Sequence, residues 1–389
     1  MPMIIAIMLI SLMLLGVLAS TASLVREVIY WRSTRLMGNN EVEPDITIVM
    51  PMRGVDVDLE DNLTRIVNQR YRGRINYIIA VDSPSDPALP IVSRIIPNPR
   101  IVVQDPGNAS GKGSALSRAL REVKTDIVII CDSDIKPHEE WLRRLVSHVD
   151  SFTASTTYRW YIGRGAAGLL MANFSSLGLT GMQSNASRFT WGGSTALPMS
   201  FVLRSGIIDL LPLYLSDDYL ITRKLHEAGM RIVFEPGAIV LSLAEEDLRN
   251  AFKWSVRQMW YVKIYGTKAF QASLVSYTIM SLASLLPLLL PIIGWFSLLP
   301  LLIFPMGAAK EYIRASAIAR LNPSHKPYIK PGLHALFSIP NLYFTLIVLY
   351  ATLITKEIIW RGRRYRESDA LMMIKRTTNL APSGRGGGQ

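Results

Sequence analysis

Two aspartates that are one residue apart directly follow a run of apolar residues near the middle of the chain. The run Ile127–Cys131 leads into Asp132, Ser133 and Asp134. Such a run predicts a buried strand of an α/β sheet, and ligands bind at the carboxyl ends of these strands. Two close carboxylates repel each other, so they favour a hard cation such as Mg²⁺ or Mn²⁺ that is shared with substrate phosphates. A solvated turn is the alternative on this triplet alone.

The composition of the chain is too apolar for an ordinary soluble protein. Of its 389 residues, 49% are hydrophobic, the formal net charge is +12 and the mean hydropathy is +0.24. This length allows one domain of ~200 residues together with membrane segments. The single cysteine, Cys131, excludes an intramolecular disulfide. The five histidines show no HxH or HExxH spacing, so we expect no zinc site.

The first 26 residues predict a membrane anchor. Met3–Val25 carries no charge and is longer than the about 20 residues that a helix needs to span a bilayer. A cleaved signal peptide is the alternative, since Ala19–Ala22 resembles a cleavage site. The run has no basic segment before it, however, and it is followed by Arg26, Arg32 and Arg35. By the positive-inside rule, we expect residues 1–26 to be retained and the domain that follows to be cytoplasmic.

The C-terminal third of the chain alternates between apolar and basic segments. We predict a transmembrane hairpin over 269–309, a basic interfacial connector over 310–332, a third membrane segment over 333–355 and a basic, partly disordered tail over 356–389. The connector and the tail are both basic, and one span between them cannot leave both on the cytoplasmic side. Either the third segment is re-entrant or broken at Pro340, or the tail is an exception to the rule.

Residues 44–244 alternate between predicted strands and helices. The strands are Ile46–Met50, Tyr77–Val81, Ile101–Val103 and Ile127–Cys131, with helices over Leu59–Gln69 and Ser114–Val123. This alternation predicts an α/β fold whose parallel sheet is covered on both faces. The first, second and fourth strands each end in polar or charged residues, so we expect these ends to form one polar crevice.

A glycine-rich loop, Gly107–Ser114, precedes one of these helices. It fails as a Walker motif, because only three residues separate Gly107 from Gly111 and because Gly113 stands where a Ser or Thr is required. Lys112, which opens the helix, can still bind a diphosphate. A flexible surface turn is the alternative.

Asp217 and Asp218 begin another predicted helix, where an aspartate is often only a cap. One capping and one free carboxylate would also suit a general base that is aimed into the crevice. Before them, Trp191, Gly192 and Gly193 combine an aromatic face with backbone flexibility, which suits the wall of a site for a sugar or a lipid headgroup.

Residues 245–266 predict an amphipathic helix just before the transmembrane hairpin. A helix with a basic face and aromatic flanks lies in the membrane interface. If it also covers the crevice, its cations face phosphate and acceptor. The basic face consists of Arg249, Lys253 and Arg257, and the flanks are Trp254 and Trp260.

These motifs together resemble the D, DxD, D, (Q/R)xxRW pattern of family 2 membrane-integrated glycosyltransferases, the group that includes cellulose synthase, hyaluronan synthase and ceramide glucosyltransferase. The matching residues are Asp82, Asp132 to Asp134, Asp217 with Asp218, and Lys253 with Trp254. The resemblance implies a GT-A fold with a Rossmann-like mixed sheet and a nucleotide-diphosphate sugar donor. It also implies Mn²⁺ or Mg²⁺ as cofactor and inversion at the anomeric carbon by direct displacement.

On the donor side, the resemblance assigns the nucleobase contact to Asp82 and the nucleotide side of the donor to Asp132. Further donor contacts are implied for Pro51, Arg53 and Lys112. Asp134 is the implied ligand of the metal that bridges the diphosphate.

On the acceptor side, the resemblance makes Asp218 the general base, with Asp217 in the place of the usual Glu. The other residues assigned to the acceptor or the diphosphate are Trp191, Gly192, Gly193, Lys253, Trp254 and Arg257.

The last motif departs from the pattern, because Lys253-Trp254 has Lys for Arg and the segment Val256–Trp260 keeps only the Trp. A weakened motif argues against a processive enzyme. We therefore expect an integral membrane hexosyltransferase that moves mannose from GDP-mannose to a lipid-linked acceptor at the cytoplasmic face. Glucose from UDP-glucose onto a glycolipid is the nearest alternative. A small processive polysaccharide synthase and a non-catalytic membrane scaffold on a degenerate transferase fold are further alternatives.

The excess of basic residues lies beside the membrane segments, so it favours membrane lipids with anionic headgroups as partners and not nucleic acid.

Overall fold

The computed structural model describes residues 3–34, 43–105, 107, 110–289 and 294–379. The chain forms two compact units. The sheet unit comprises residues 39–159, 188–240 and 356–389, and the helical unit comprises residues 1–38, 160–187 and 241–355. Residues 380–389, which belong to the tail predicted to be partly disordered, lie outside the described residues.

Seven strands form the main sheet, and two further pairs stand apart from it. The strands are β1 Ile46–Met52, β2 Ile75–Val81, β3 Arg100–Val103, β4 Ile127–Cys131, β5 Thr153–Thr156, β6 Arg159–Ile162, β7 Ser194–Pro198, β8 Arg231–Phe234, β9 Val240–Leu243, β10 Glu357–Trp360 and β11 Arg363–Arg366. The order in the main sheet is β3-β2-β1-β4-β7-β5-β8, while β6 pairs with β9 and β10 pairs with β11.

The main sheet is mixed, which confirms the predicted α/β fold of the GT-A type. Strands β1, β2, β3 and β4 are parallel, as the alternation of strands and helices predicts. Strand β7 enters antiparallel between β4 and β5. Sequence analysis named no strand after β4.

The α-helices of the described residues are α1 Met3–Ser33, α2 Leu59–Val67, α3 Leu89–Ile95, α4 Gly111–Leu120, α5 Trp141–Val146, α6 Ala166–Ser175, α7 Leu177–Met182, α8 Met199–Arg204, α9 Ile207–Leu210, α10 Asp217–Glu227, α11 Leu248–Tyr265, α12 Thr267–Leu285, α13 Ile303–Leu321, α14 Pro331–Ile354 and α15 Glu367–Asn379. Short 3-10 helices cover Leu211–Leu213, Pro236–Ala238, Leu286–Leu289, Trp295–Leu302 and Pro323–His325.

The core of the sheet unit lies between the central strands and the helices that cover them. Ile48 of β1, Ile79 of β2 and Ile129 of β4 have no exposed surface. Continuous runs of such residues are typical of parallel strands that are covered on both faces, and each fully buried side chain contributes about 1.5–3 kcal/mol. Helix α4 packs on β1 and β2. This packing fixes the carboxyl ends of the central strands relative to the start of α4.

Within the described residues, four helical stretches of the helical unit are long and apolar enough to cross a membrane, by length and composition. They are Ile4–Ser33, Thr267–Leu288, Trp295–Leu321 and Pro331–Ile354. Pro340 lies inside α14, and the helix continues through it. In the middle of α14, Leu342 packs with Ala283 and Ile303, which lie at the facing ends of α12 and α13.

The C-terminal half of α14 packs along α12. The hydroxyl of Tyr350 lies 3.2 Å from Oγ1 of Thr278. At the end of the helix, Lys263 donates to the carbonyl of Thr355 across 2.9 Å. Because Lys263 lies just before α12, the end of α14 lies beside the start of α12.

A buried ion cluster fastens α13 to α1. Arg314 has no exposed surface and donates to both carboxylate oxygens of Glu27, at 2.6 and 2.8 Å. It also donates to Glu311 at 3.0 Å and to Thr180 of α7 at 3.0 Å. A buried charge is tolerated only when it is paired and hydrogen-bonded, so this cluster fixes the register of the helices that share it.

Candidate active site

The carboxyl ends of β1, β2 and β4 lie side by side, as sequence analysis expects. Pro51 lies in the last part of β1, and Arg53 and Asp82 follow β1 and β2. The guanidinium of Arg53 lies 3.4 Å from the carboxylate of Asp82. The third strand end of this edge carries Asp132 and Asp134. The residues assigned to the donor therefore share one edge of the sheet.

Two cations form ion pairs with three of the carboxylates at this edge. Lys112 Nζ lies 2.9 Å from Asp132 and 3.0 Å from Asp217. The guanidinium of Arg159 lies 3.4 Å from Asp132 and 3.1 Å from Asp134. The two cations thus offset the repulsion that the Asp132–Asp134 motif alone would create.

The start of α4 places Lys112 in this cluster. Ser110 caps the helix by accepting from the backbone amide of Gly113 at 3.2 Å. The helix begins at Gly111, three residues before the predicted start, so Lys112 belongs to the first turn. Its side chain is only 16% exposed, which excludes the flexible surface turn for this residue. The central residues of the predicted loop, Asn108 and Ala109, lie outside the described residues.

Asp217 and Asp218 occupy the first two positions of α10, but neither is the cap. Ser216 accepts from the amide of Tyr219, so the expectation that one of the two aspartates caps the helix is wrong. Asp217 is buried against Lys112, while Asp218 accepts a short hydrogen bond from the backbone amide of Gly192. Because a serine does the capping, both carboxylates are available for the site.

Gly192 is required by this close approach. A Cβ at this position would overlap the carboxylates of both Asp217 and Asp218. The neighbouring Gly193 backs onto the ring of Trp191, where a Cβ would also overlap. The Trp191-Gly192-Gly193 motif therefore serves packing at the start of α10, and its predicted contact with the acceptor stays a prediction.

The face of Trp191 is covered by a cation from the cluster. The guanidinium carbon of Arg159 lies 4.5 Å from the ring centroid, which is the geometry of a cation–π interaction. Trp191 itself is buried. Arg159 thus connects the tryptophan to Asp132 and Asp134. Sequence analysis missed Arg159, whose one local signal is a charged residue next to the aromatic pair Trp160-Tyr161.

Burial and neighbouring charges shift the pKa values of the carboxyls in this cluster. Burial, together with the charges of Asp217 and Asp132, raises the pKa of Asp218 to about 8, against the opposing effects of Lys112 and the Gly192 amide. Burial also raises the pKa of Asp132, although Lys112 and Arg159 oppose it.

The pKa values of Asp134 and Lys112 move in the directions that favour their charged forms. The pKa of Asp134 is lowered, since the charge and the hydrogen bond of Arg159 outweigh the effect of burial. The pKa of Lys112 is raised, because the nearby carboxylates, chiefly Asp132 and Asp217, outweigh burial. Lys112 is therefore a permanent cation of the site.

No group of three or more His, Cys, Asp or Glu side chains is arranged to hold a metal ion within the part of the chain that the structure describes. Mg²⁺ and Mn²⁺ bound with nucleotides commonly use one or two protein carboxylates and take the remaining ligands from phosphates and water. Asp134, a hard oxygen donor at the strand end, fits that mode of binding.

The remaining predicted residues lie on α11 in the helical unit. Asp247 caps this helix by accepting from Asn250 at 2.9 Å. Trp254 packs edge-on against Tyr161 at 5.1 Å and is a packing residue of that unit. Lys253 is exposed and Arg257 is half-buried. Their assignment to the acceptor or the diphosphate stays a prediction.

Comparison with known proteins identifies the class. A family model for glycosyl transferase family 21 matches residues 8–370, and the chain belongs to this family. The expected resemblance to the group of ceramide glucosyltransferase is thereby confirmed, with family 21 as the matching model. A ceramide glucosyltransferase of Candida albicans is 25% identical over 114 residues. This match covers 25% of the chain and 21% of the relative, so the chain spans about a fifth of the length of that protein.

Solved structures also show similarity. The mannosyltransferase PcManGT from Pyrobaculum calidifontis, in complex with GDP-Man and Mn²⁺, has 17% identity and a TM-score of 0.49, over 88% of this chain and 98% of that one. Glucosyl-3-phosphoglycerate synthase from Mycobacterium tuberculosis, in complex with Mn²⁺, UDP-glucose and glycerol 3-phosphate, has 16% identity and a TM-score of 0.35, over 56% and 79% of the two chains. The bound ligands are those of the two relatives.

Gly192→Ala tests the geometry of this site. The added methyl group overlaps Asp217 and Asp218 and displaces them, and a misplacement of about 1 Å lowers a rate by about 100-fold. The measurement is glycosyl transfer from a nucleotide sugar, with the melting temperature followed in parallel. Gly332→Ala is the matched control, because no atom lies within 4 Å of the Cβ that would be added there. An unchanged rate in Gly192→Ala contradicts the assignment.

Proposed function

We propose that this chain transfers a hexose from a nucleotide-diphosphate sugar to a lipid-borne acceptor with inversion at the anomeric carbon. One observation carries the proposal: Asp218 is held at the start of α10 by the Gly192 amide, in the same cluster as Lys112 and Asp132 at the donor edge. A base and a donor edge in one cluster are what direct displacement requires.

The donor edge supports binding of a diphosphate. Asp134 is the proposed metal ligand, and a bound Mn²⁺ or Mg²⁺ would neutralise charge on the diphosphate. Lys112 lies at the N-terminus of α4, where backbone amides and the helix dipole also favour an anion. Lys112 therefore stabilises the negative charge that grows on the departing diphosphate.

Asp218 is the proposed general base. Its raised pKa, about 8, makes it a stronger base than an ordinary carboxylate. The Gly192 amide orients one carboxylate oxygen. The other oxygen accepts the proton of the acceptor hydroxyl while the sugar moves to the oxygen of that hydroxyl.

We propose UDP-glucose as the first donor to test, because the curated relative is a ceramide glucosyltransferase. The same relative supports a lipid acceptor with a free hydroxyl. Mannose from GDP-mannose, the donor that sequence analysis expects, stays a prediction and is tested beside it.

We also propose a membrane topology in which the tail and the sheet unit share the cytoplasmic side. In the sheet unit, Arg361 of the tail forms an ion pair with Asp56 at 2.5 Å. Residues 267–354 must then begin and end on one side, so the three helices between cannot all cross. We propose that α12 and α13 cross as a hairpin and that α14, which is one unbroken helix, does not cross.

Single cysteines test this topology. Cys131 is fully buried, so the natural thiol does not react with a membrane-impermeant maleimide. Ser93→Cys in the sheet unit, Ser324→Cys in the connector and Ser368→Cys in the tail place thiols at three exposed positions. We expect all three to react only after the membrane is permeabilised. Reaction of Ser368→Cys in intact cells, while Ser93→Cys is protected, contradicts the proposal.

Donor choice and the role of Asp218 are tested together. Purified protein is supplied with radiolabelled UDP-glucose or GDP-mannose, Mn²⁺ or EDTA, and extracted membrane lipids. We expect label in a single-addition lipid product, lost with EDTA, and Asp218→Asn lowers transfer by about 10²–10⁴-fold. Asn keeps an oxygen for the Gly192 amide, so nucleotide binding persists in the variant. Absence of transfer from every donor contradicts the proposal, and long products from one donor support a polysaccharide synthase instead.

The pH dependence of transfer reports the pKa of Asp218. A general base acts in its charged form, so the rate rises with pH through about 8. Asp217 is the neighbouring charge that raises this pKa most, so Asp217→Asn lowers the pKa and moves the midpoint to lower pH. Lys112 and Asp132, the other charged groups that face Asp218, are unchanged. Asp209→Asn removes an exposed carboxylate outside the cluster and is the control. An equal midpoint in Asp217→Asn and Asp209→Asn rules out Asp218 as the titrating group.

A further inference from the structure

The basic tail contains a β-hairpin that packs against the donor edge of the sheet unit. Strands β10 and β11 pair in register from Glu357 with Arg366 to Trp360 with Arg363. The two-residue loop, Arg361 and Gly362, has φ values of 46° and 75°. Such loops favour Asn or Gly at the first position, because a side chain is strained at positive φ. An arginine at that position is therefore better explained by what its side chain contacts.

The tip of the hairpin contacts the loop after β1. Arg361 donates to the backbone carbonyl of Arg53 and forms an ion pair with Asp56 at 2.5 Å. Arg53 in turn lies 3.4 Å from Asp82. The tip thus fixes the loop that carries one of the proposed donor residues.

Arg363 contacts the residue that follows β2 and the loop that leads into α4. Its guanidinium lies 3.7 Å from the carboxylate of Asp82 after β2, and it donates to the carbonyl of Gly107 at 3.0 Å. It also lies against Gly111, the first residue of α4. Two residues later, burial raises the pKa of Tyr365, and the nearby Arg363 charge and Gly111 backbone oppose this rise. Arg363 is 24% exposed at its side chain, so it is partly accessible to solvent.

These contacts bring additional positive charge to the edge where an anionic donor is proposed to bind. Arg53, Lys112, Arg361 and Arg363 converge there, and the guanidinium group forms the forked hydrogen bonds that suit phosphates. We propose that the C-terminal hairpin forms part of the donor pocket. In this proposal Arg363 binds the nucleoside diphosphate of the donor, and Arg361 is a positioning residue for the loop of Arg53. The inference rests on the proposed function, because it needs a nucleotide-sugar donor.

The hairpin supplies its own matched control. Successive side chains of a strand point to opposite faces, so Arg364 lies on the face opposite to Arg363. Arg364 pairs with Glu357 inside the hairpin, at 3.2 Å, and is more than half exposed. Arg364→Ala therefore removes the same charge from the same strand without touching the donor edge.

The test is binding of UDP with Mn²⁺ and of GDP with Mn²⁺ to the purified full chain, by titration calorimetry. We expect Arg363→Ala to lower the affinity for whichever nucleotide binds more tightly by about tenfold or more, because a charge-assisted bidentate contact is lost. Arg363→Lys restores only part of the affinity, since a point charge cannot form the forked contact. Arg364→Ala binds like the unaltered chain. In the transfer assay, Arg363→Ala raises KM for the donor.

The outcomes separate this inference from the proposed function. If the unaltered chain binds nucleotide and Arg363→Ala binds it equally well, the hairpin is not part of the pocket. Tighter binding by Arg363→Ala also overturns the inference, since the arginine then competes with the donor. If the unaltered chain binds neither nucleotide, the proposed function fails together with the inference. If the melting temperature of Arg363→Ala is far below that of Arg364→Ala, nucleotide binding is measured with the more conservative Arg363→Gln instead. Binding by Arg363→Gln as tight as by the unaltered chain then overturns the inference.

Discussion

Compensation of charge at the carboxyl edge of the sheet is the constraint on which the rest of the structure depends. Lys112 pairs with Asp132 and Asp217, and Arg159 pairs with Asp132 and Asp134. An unpaired buried carboxylate costs several kcal/mol, so removing either cation would leave an acid that the fold cannot accommodate in its charged form. Burial and the neighbouring charge of Asp217 raise the pKa of Asp218 to about 8, against the opposing effect of Lys112.

Each member of this cluster is placed by a local feature of a different element. Ser110 caps the start of α4, whose first turn holds Lys112. Ser216 caps the start of α10, so neither Asp217 nor Asp218 is used as the cap. Gly192 allows its own segment of the chain to approach Asp217 and Asp218 closely. The elements are joined through the central strands, whose apolar runs are the most strongly specified part of the chain. The stabilisation from burying these strands therefore offsets the cost of placing charged groups at their carboxyl ends.

The sequence was sufficient for the parts that local patterns encode. The apolar runs of β1, β2 and β4 and the carboxylates that follow them are visible as strings of letters, and so is the glycine-flanked Lys112. Arg159 could not be found in this way, because its partners are set by long-range contacts and not by spacing along the chain. The antiparallel β7 escaped for a similar reason: its run Ser194–Pro198 is short and partly polar, although the strand is fully buried.

The basic residues of the tail are visible in the sequence, but the groups that they contact are not. A cluster of basic residues after an apolar helix predicts contact with anionic lipid, provided that the side chains face the membrane. Arg361 and Arg363 instead face Asp56 and Asp82, and Arg364 pairs with Glu357. The carboxylates of the sheet unit pair with these arginines of the tail. The conflict between a basic connector and a basic tail arises only if α14 crosses the membrane, and the proposed topology, in which α14 does not cross, removes it.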